Sequence, residues 1–294
     1  MEINAALVRE LRERTGAGMM DCKKALVEAK GDIEAAVELM RKSGAAKADK
    51  RAGRVAAEGV VTLETSPGGA AVAMVEVNSE TDFVAKGDEF QTFAQEVAAA
   101  ALAAAPADVD ALGAVALPGR SGLTVEERRR ELIAKIGENM NVRRVYWREG
   151  GAGVLGVYRH GTRIGVVVHL EGGDAALAKD IAMHVAASRP VAIDAAGLPA
   201  ELVAKEREIY LAQAQESGKP ADIVQKMVEG RVKKFMQEVT LLGQPFVKDP
   251  ETTVAQLLAK HKARVLAFER FAVGEGLEKK SGNFAEEVMA QVGR

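Results

Sequence analysis

Apolar positions along this chain follow two periods, and the switches between them mark out its elements. Leu7, Val8 and Leu11, then Cys22, Ala25, Leu26 and Ala29, then Ile33, Val37 and Met40 recur at helical spacing, with Thr15-Gly16 and Gly31 as breaks. Asn4 and Asp32 stand where helix N-caps are needed, so a bundle of three short helices is expected at the N-terminus. Adjacent residues on a helix do not share a face, so one of Met19 and Met20 should be exposed. Arg41 to Arg54 then carries six basic residues against the single Asp49, which reads as a solvated linker.

The period next changes to that of strands. Val60 to Leu63, a Ser66-Pro67-Gly68-Gly69 turn, Ala71 to Val77 and a helix from Asp88 (Phe90, Phe93, Val97, Ala101) give strand, turn, strand, helix. Val154 to Tyr158, a turn at His160-Gly161, Arg163 to Leu170 and a helix from Asp174 repeat that order. Two similar α+β subdomains with small antiparallel sheets are therefore expected, each needing a further strand or helix packing because a lone hairpin is marginal. The Ala-rich, Gly/Pro-punctuated stretch from Ala98 to Leu123 reads as the connection between them. After it, Thr124-x-x-Glu127 forms a capping box, Gly137 closes a helix, and Val142 to Trp147 is strand-like.

Further along, Leu202, Ile209 and Ala212 form one stripe, and Val224, Met227, Val228, Arg231 and Phe235 another, broken at Ser217 to Pro220. This predicts an antiparallel helical hairpin, a coiled coil inserted in the second subdomain, whose first arm from Ala200 to Glu216 would reach about 25 Å. A helix through Val254, Leu257 and Leu258, a strand from Arg264 to Val273 and a last helix capped by Asn283-x-x-Glu286 complete the chain.

Composition narrows the function. A net charge of -2 over 294 residues argues against a nucleic-acid polyanion as main partner and favours protein surfaces. Cys22 is the only cysteine, which excludes internal disulfides and multi-thiolate metal sites, and the four histidines show no ligand spacing. Neither an N-terminal leader nor an apolar membrane-length run stands out, so a cytoplasmic protein is expected. Gly151-Ala152-Gly153-Val154-Leu155-Gly156 fits a dinucleotide fingerprint by letter, but a strand-like run follows it where a helix is required; the glycines are read as a flexible joint. There is no P-loop and no nucleophile motif, so no covalent catalysis and no cofactor is expected.

The remaining chemistry lies at Asn78-Ser79-Glu80-Thr81-Asp82-Phe83-Val84-Ala85-Lys86, where a strand ends before a helix. On residue chemistry alone, two readings stand: Phe83 fills its own core while Asp82 caps a turn, or both project toward another molecule. This stretch resembles a signature of the elongation factor Ts family. Thr15 to Leu26, Lys135-Ile136-Gly137-Glu138-Asn139, Ile181 to Ala187 and Gly243-Gln244-Pro245-Phe246-Val247 resemble the family's other signatures, in the same order along nearly the whole chain.

The resemblance implies a guanine-nucleotide exchange factor for elongation factor Tu, itself not an enzyme, with Thr81, Asp82, Phe83 and Val84 disturbing the partner's Mg2+ and phosphate site. It implies partner contacts at Leu11, Met19, Met20, Lys23, Ile136, Gly137, His160 and Val247. The corresponding division is 1–54, a three-helix (UBA-like) module and basic linker; 55–148, an N-terminal core subdomain; 149–198 plus 240–274, a C-terminal core subdomain; 199–239, the hairpin; and 275–294, a helical module. Rival readings are an RNA-binding or ribosome-associated helper using residues 41–54, and a small oxidoreductase using Gly151 to Gly156.

Overall fold

The structure is a computed structural model that describes residues 3–216 and 219–277; the expected final helix at Asn283 to Glu286 and the Ser217-Gly218 tip lie outside the described residues. The chain is α+β, and it divides into two compact units. One holds residues up to 64, residues 73–147 and the segment from 272 onward; the other holds 65–72 and 148–271.

In the first unit, α1 (Ala5–Thr15), α2 (Met19–Glu28) and α3 (Ile33–Arg51) surround a small core of Val8, Leu11, Cys22, Ala25, Leu26 and Ala36. Asn4 caps α1 by accepting from the Leu7 amide, Asp32 caps α3 through Ala35, and Gly16 ends α1 at φ 64°. The expected linker is instead the second half of α3: Ala46 and Ala48 favour helix, and Ala48 is buried in the main core. Arg41 pairs with Glu127, Lys42 with Glu38 and Lys47 with Asp21, Arg51 donates to the Ile133 carbonyl, and Arg54 just beyond the helix pairs with Glu80.

Strands β1 (Glu58–Thr65) and β2 (Ala71–Ser79) follow, then a single turn of helix, α4 (Asp82–Ala85), and the long α5 (Asp88–Ala104). The connection expected from Ala98 is thus helical as far as Ala104, because Ala98, Ala100 and Ala101 are buried on the core face. After α6 (Val109–Gly113), the capping box of Thr124 and Glu127 opens α7 (Val125–Ile136), and Gly137 at φ 94° closes it. β3 (Met140–Glu149) completes a three-stranded sheet in the order β1-β2-β3. Val75, Val77, Phe90, Phe93, Val97, Leu132, Ile133 and Met140 fill the core against α5 and α7. One charge is buried in this sheet: Glu76 accepts from Arg143, Arg144, Asn78 and the Gly274 amide. Burial pushes its carboxyl up, but the Gly274 amide and the Arg144 guanidinium outweigh that and hold it below the usual range.

The second unit repeats the plan. β4 (Val154–His160) pairs antiparallel with β5 (Ile164–Glu171), α8 (Ala175–Ser188) follows under an Asp174 cap, and β8 (Arg264–Ala272) joins late to give the order β4-β5-β8. Between them run α9 (Ala200–Gln215), α10 (Ala221–Val239), the short strands β6 (Pro245–Phe246) and β7 (Asp249–Thr253), and α11 (Val254–Lys260). Val203, Tyr210 and Ala214 of α9 meet Val224, Val228, Val232 and Met236 of α10, with Arg231 stacked over the Tyr210 ring. The seam on α9 is therefore not Leu202, Ile209 and Ala212: Ile209 is exposed, and Tyr210 is preferred because its ring packs while its hydroxyl stays at the edge.

Gly151 to Gly156 is not a flexible joint. A Cβ on Gly156 would fall 2.2 Å from the Ala178 backbone, and one on Gly153 would strike His169, so these glycines let strand and helix pack closely. His169, buried beside them, accepts from Arg148 at Nδ1, and its Nε2 lies 3.0 Å from the Gly150 carbonyl oxygen.

Candidate functional site

The stretch after β2 is assembled by backbone needs. The helix N-termini at α4 and α5 expose amides that require acceptors, and Thr81 supplies one by accepting from the Val84 amide at 3.3 Å. Thr81, not Asp82, is the cap. Asp82 lies in the first turn, where its carboxylate favours the helix dipole and pairs with Lys86 at 2.6 Å. The Lys86 hydrogen bond and charge hold the Asp82 carboxyl below the usual range, so it is ionised at neutral pH.

One helical turn cannot bury both of its apolar residues. Val84 is turned inward into the core that contains Phe90 and Phe93, while Phe83 stands 85% exposed. An exposed phenyl ring on a short helix, held over a fully buried strand end at Val77, Asn78 and Ser79, removes the reading in which this residue packs inward. Phe83 does not fill its own core.

The turn is fastened to the segment between α7 and β3. The Thr81 amide donates to Glu138 at 3.0 Å and its hydroxyl donates to the same carboxylate at 2.7 Å. In the opposite sense, the Asn139 amide donates to Glu80 at 2.6 Å, and the Asn139 side chain donates to the Arg54 carbonyl at 2.7 Å. Ile136 is half-buried beside this seam, and Gly137 provides the left-handed residue that turns the chain into it. Glu80, Glu138 and Asn139 stand inside two of the signature stretches, but the bonds that give them a role join residues far apart along the chain, which no local pattern shows.

On the bundle, both methionines are exposed, Met19 at 55% and Met20 at 77%, with Lys23 exposed one turn on. Leu11 corrects the expectation: it is fully buried in the bundle core, so its side chain presents nothing to a partner and instead supports the helices that carry Met19 and Met20. Gly16 brings α1 against Lys135 of α7, next to Ile136, and Lys135 pairs with Glu89. The bundle, Gly137 and the Phe83 turn thus belong to one packed unit.

The other two candidates lie in the second unit. His160 ends β4, exposed, with the Tyr158 hydroxyl 3.3 Å from its Nδ1. Val247 is 44% exposed, and its amide donates to Nδ1 of the buried His184. That bond fixes the proton on Nε2, which donates to Gln244 Oε1; Gln244 in turn donates to the Ser188 and Glu238 carbonyls. His184 is a packed residue that shapes the Gly243 to Val247 turn, and its burial lowers its pKa.

Among the described residues no group of His, Cys, Asp or Glu is arranged to hold a metal, and no helix is long and apolar enough to cross a membrane. The family model described as elongation factor TS matches residues 80–275, beginning at the Phe83 turn. The chain is 63% identical over 292 residues to elongation factor Ts of Thioalkalivibrio sulfidiphilus, covering 99% of each. It is 62% identical to that of Methylococcus capsulatus and 57% identical to that of Alkalilimnicola ehrlichii, again over 99% of each chain. The chain belongs to the elongation factor Ts family. Membership places it in translation elongation, and it accounts for the order of the five sequence signatures, two of which meet at the Glu138 and Thr81 bonds.

Proposed function

We propose that this protein accelerates exchange of guanosine diphosphate for guanosine triphosphate on elongation factor Tu, acting in the cytoplasm as a binding partner and catalysing no covalent step. The observation that carries the proposal is Phe83, 85% exposed on a one-turn helix that is anchored on both sides. In the family reading, that ring enters the partner beside its nucleotide site. Asp82, ionised next to it, brings negative charge toward the groups that organise the Mg2+ ion, which otherwise screens the phosphates. Thr81 and Val84 hold the turn in shape, the first as cap and the second as core anchor.

The energetics is linkage. A factor that binds the nucleotide-free partner more tightly than the loaded one weakens nucleotide binding by the same ratio. Each tenfold requires about 1.4 kcal/mol of differential binding, which an interface of roughly 1,600 Å² can supply several times over. Met19, Met20 and Lys23 offer an adaptable surface on the bundle, and thioether side chains suit irregular partner surfaces. Ile136 and Gly137 flank the turn, and His160 and Val247 offer a second set of contacts. The module boundaries in this reading remain 1–54, 55–148, 149–198 with 240–274, 199–239 and 275–294, with residues 199–239 as an inserted coiled coil.

The test is release of fluorescent guanosine diphosphate from elongation factor Tu in excess unlabelled nucleotide. Catalytic amounts of the protein should accelerate release by orders of magnitude, and Asp82→Ala with Phe83→Ala should remove most of that acceleration. Unchanged stimulation by the double variant would show the wedge to be wrong. The RNA-binding alternative is weakened by the pairing within residues 41–54, where five of the six cations, Arg41, Lys42, Lys47, Arg51 and Arg54, already meet Glu127, Glu38, Asp21, the Ile133 carbonyl and Glu80.

A further inference from the structure

We infer that Glu138 is the positioning residue of the Phe83 turn: its carboxylate fixes Thr81 as the helix cap and so sets the direction in which the ring is presented. The inference rests on the exchange reading given above. Thr81 brings two donors to Glu138, the amide to Oε2 at 3.0 Å and the hydroxyl to Oε1 at 2.7 Å. Because the hydroxyl hydrogen is committed to Glu138, the Thr81 oxygen is left with its lone pairs toward the Val84 amide at 3.3 Å, the bond that starts α4. A carboxylate accepts from both donors at once; an amide of the same shape has one acceptor and would set its own N–H against a donor.

The Glu138 bonds are matched by a reciprocal one, since the Asn139 amide donates to Glu80 at 2.6 Å. Two consecutive residues after β2 are therefore clasped to two consecutive residues after α7, an acid and an amide on each side. Asn139 also donates to the Arg54 and Ala52 carbonyls, so the clasp extends to the end of α3. Gly137, at φ 94°, aims Glu138 into it. Val84 and Ala85, buried on the underside of α4, set which face of the turn points inward, and the Ser79 hydroxyl donates to the Thr81 carbonyl at 3.0 Å. The Glu138 clasp adds the fastening of the Thr81 side chain and amide, which holds the cap end of the turn and keeps the exposed ring in one direction.

The experiment compares wild type with Glu138→Gln and Glu138→Ala in two measurements. In stimulated release of guanosine diphosphate from elongation factor Tu, both variants should lower the maximal rate about tenfold while the half-saturating concentration moves by less than about threefold, because the ring is still present but misdirected. In hydrogen exchange of the free protein, the Thr81 and Val84 amides should lose protection while those of β2 and α5 keep theirs. Thr81→Val combined with Glu138→Gln should be no worse than the worse single variant, since both act on one clasp. Unchanged amide protection in Glu138→Gln would overturn the clasp. Changed protection with an unchanged maximal rate would overturn its part in exchange. If wild type itself fails to stimulate release, the exchange reading falls, and with it the role of Glu138 in exchange; the hydrogen-exchange comparison still decides whether the clasp holds the turn.

Discussion

The two strand-turn-strand-helix segments solve the same packing problem with connections of different length. In the second unit, β5 ends at Glu171 and α8 starts at Ala175, with Gly172 and Gly173 at positive φ and Asp174 as cap. In the first, β2 ends at Ser79 and α5 starts only at Asp88; the added residues form α4 and lift Phe83 into solvent. The short version shows what the fold requires, so the extra residues of the long version answer to something else. That contrast favours the proposed partner-directed role for the Phe83 turn over a purely structural one.

The contrast is broken most severely by exchanging the symptoms. Phe83→Ala should cut stimulated nucleotide release by more than about tenfold yet leave the melting temperature nearly unchanged, because exposed substitutions usually stay within about 0.5 kcal/mol. Gly172→Ala should do the reverse. Its φ is 72° and a Cβ would fall 2.4 Å from the Lys262 carbonyl oxygen, so a loss of about 3 kcal/mol is expected in thermal or denaturant unfolding of the second unit. If Gly172→Ala were neutral, the short connection would not be the tight fit described.

A second pair sharpens the distinction within the bundle. Leu11→Ala should destabilise by about 3 kcal/mol, as expected for a fully buried leucine, and weaken exchange only by loosening the bundle. Met20→Ala should leave stability within about 0.5 kcal/mol while raising the concentration of protein needed for half-maximal stimulation. Chemical denaturation and titration of the release rate separate the two effects.

Much of this architecture was legible because it is local. Asn4, Asp32, Thr124 and Asp174 announced their helices by cap chemistry, and the repeat of β1, β2 and β4, β5 followed from period-2 runs separated by turn residues. Failures arose where a distant partner overrode local character. The basic stretch from Arg41 is largely exposed, as its charge suggests, but it is helix rather than linker as far as Arg51, and its ion-pair partners Glu127, Glu80 and Asp21 are remote in sequence; Leu11 looked like a contact because a family role does not distinguish a supporting residue from a touching one. The site was legible as a motif at Thr81 to Val84, but its fastening by Glu138 and Asn139 depends on a turn geometry that begins at Gly137 and leaves no periodic signal.

A milder test concerns pH and the second unit. Burial lowers the His184 pKa from its ordinary 6.5, so the folded state prefers the neutral ring that accepts from Val247. Below the ordinary value the unfolded chain takes up a proton that the folded chain refuses, so stability present above pH 6.5 is lost as the pH falls toward the folded pKa. His184→Gln should flatten that part of the stability profile measured by denaturant unfolding across pH 7 to about 5. The first unit should not share this loss, because its buried charge, Glu76, has a lowered carboxyl pKa and stays ionised over the same range.

The smallest effect expected is at Lys86. Its ion pair with Asp82 is solvent-exposed, and such pairs add little to stability, so Lys86→Met should leave unfolding unchanged. Its effect on exchange has a definite sign. Lys86 neutralises the carboxylate that is proposed to act on the partner's Mg2+ site, and removing the cation leaves Asp82 with its full charge and a freer rotamer. Stimulated release at saturating protein should rise by less than about threefold and become more sensitive to ionic strength, because the unpaired charge is no longer locally compensated. A fall in the maximal rate would instead show that Lys86 serves the turn by holding Asp82 in place, and the first connection would then owe its function to geometry alone.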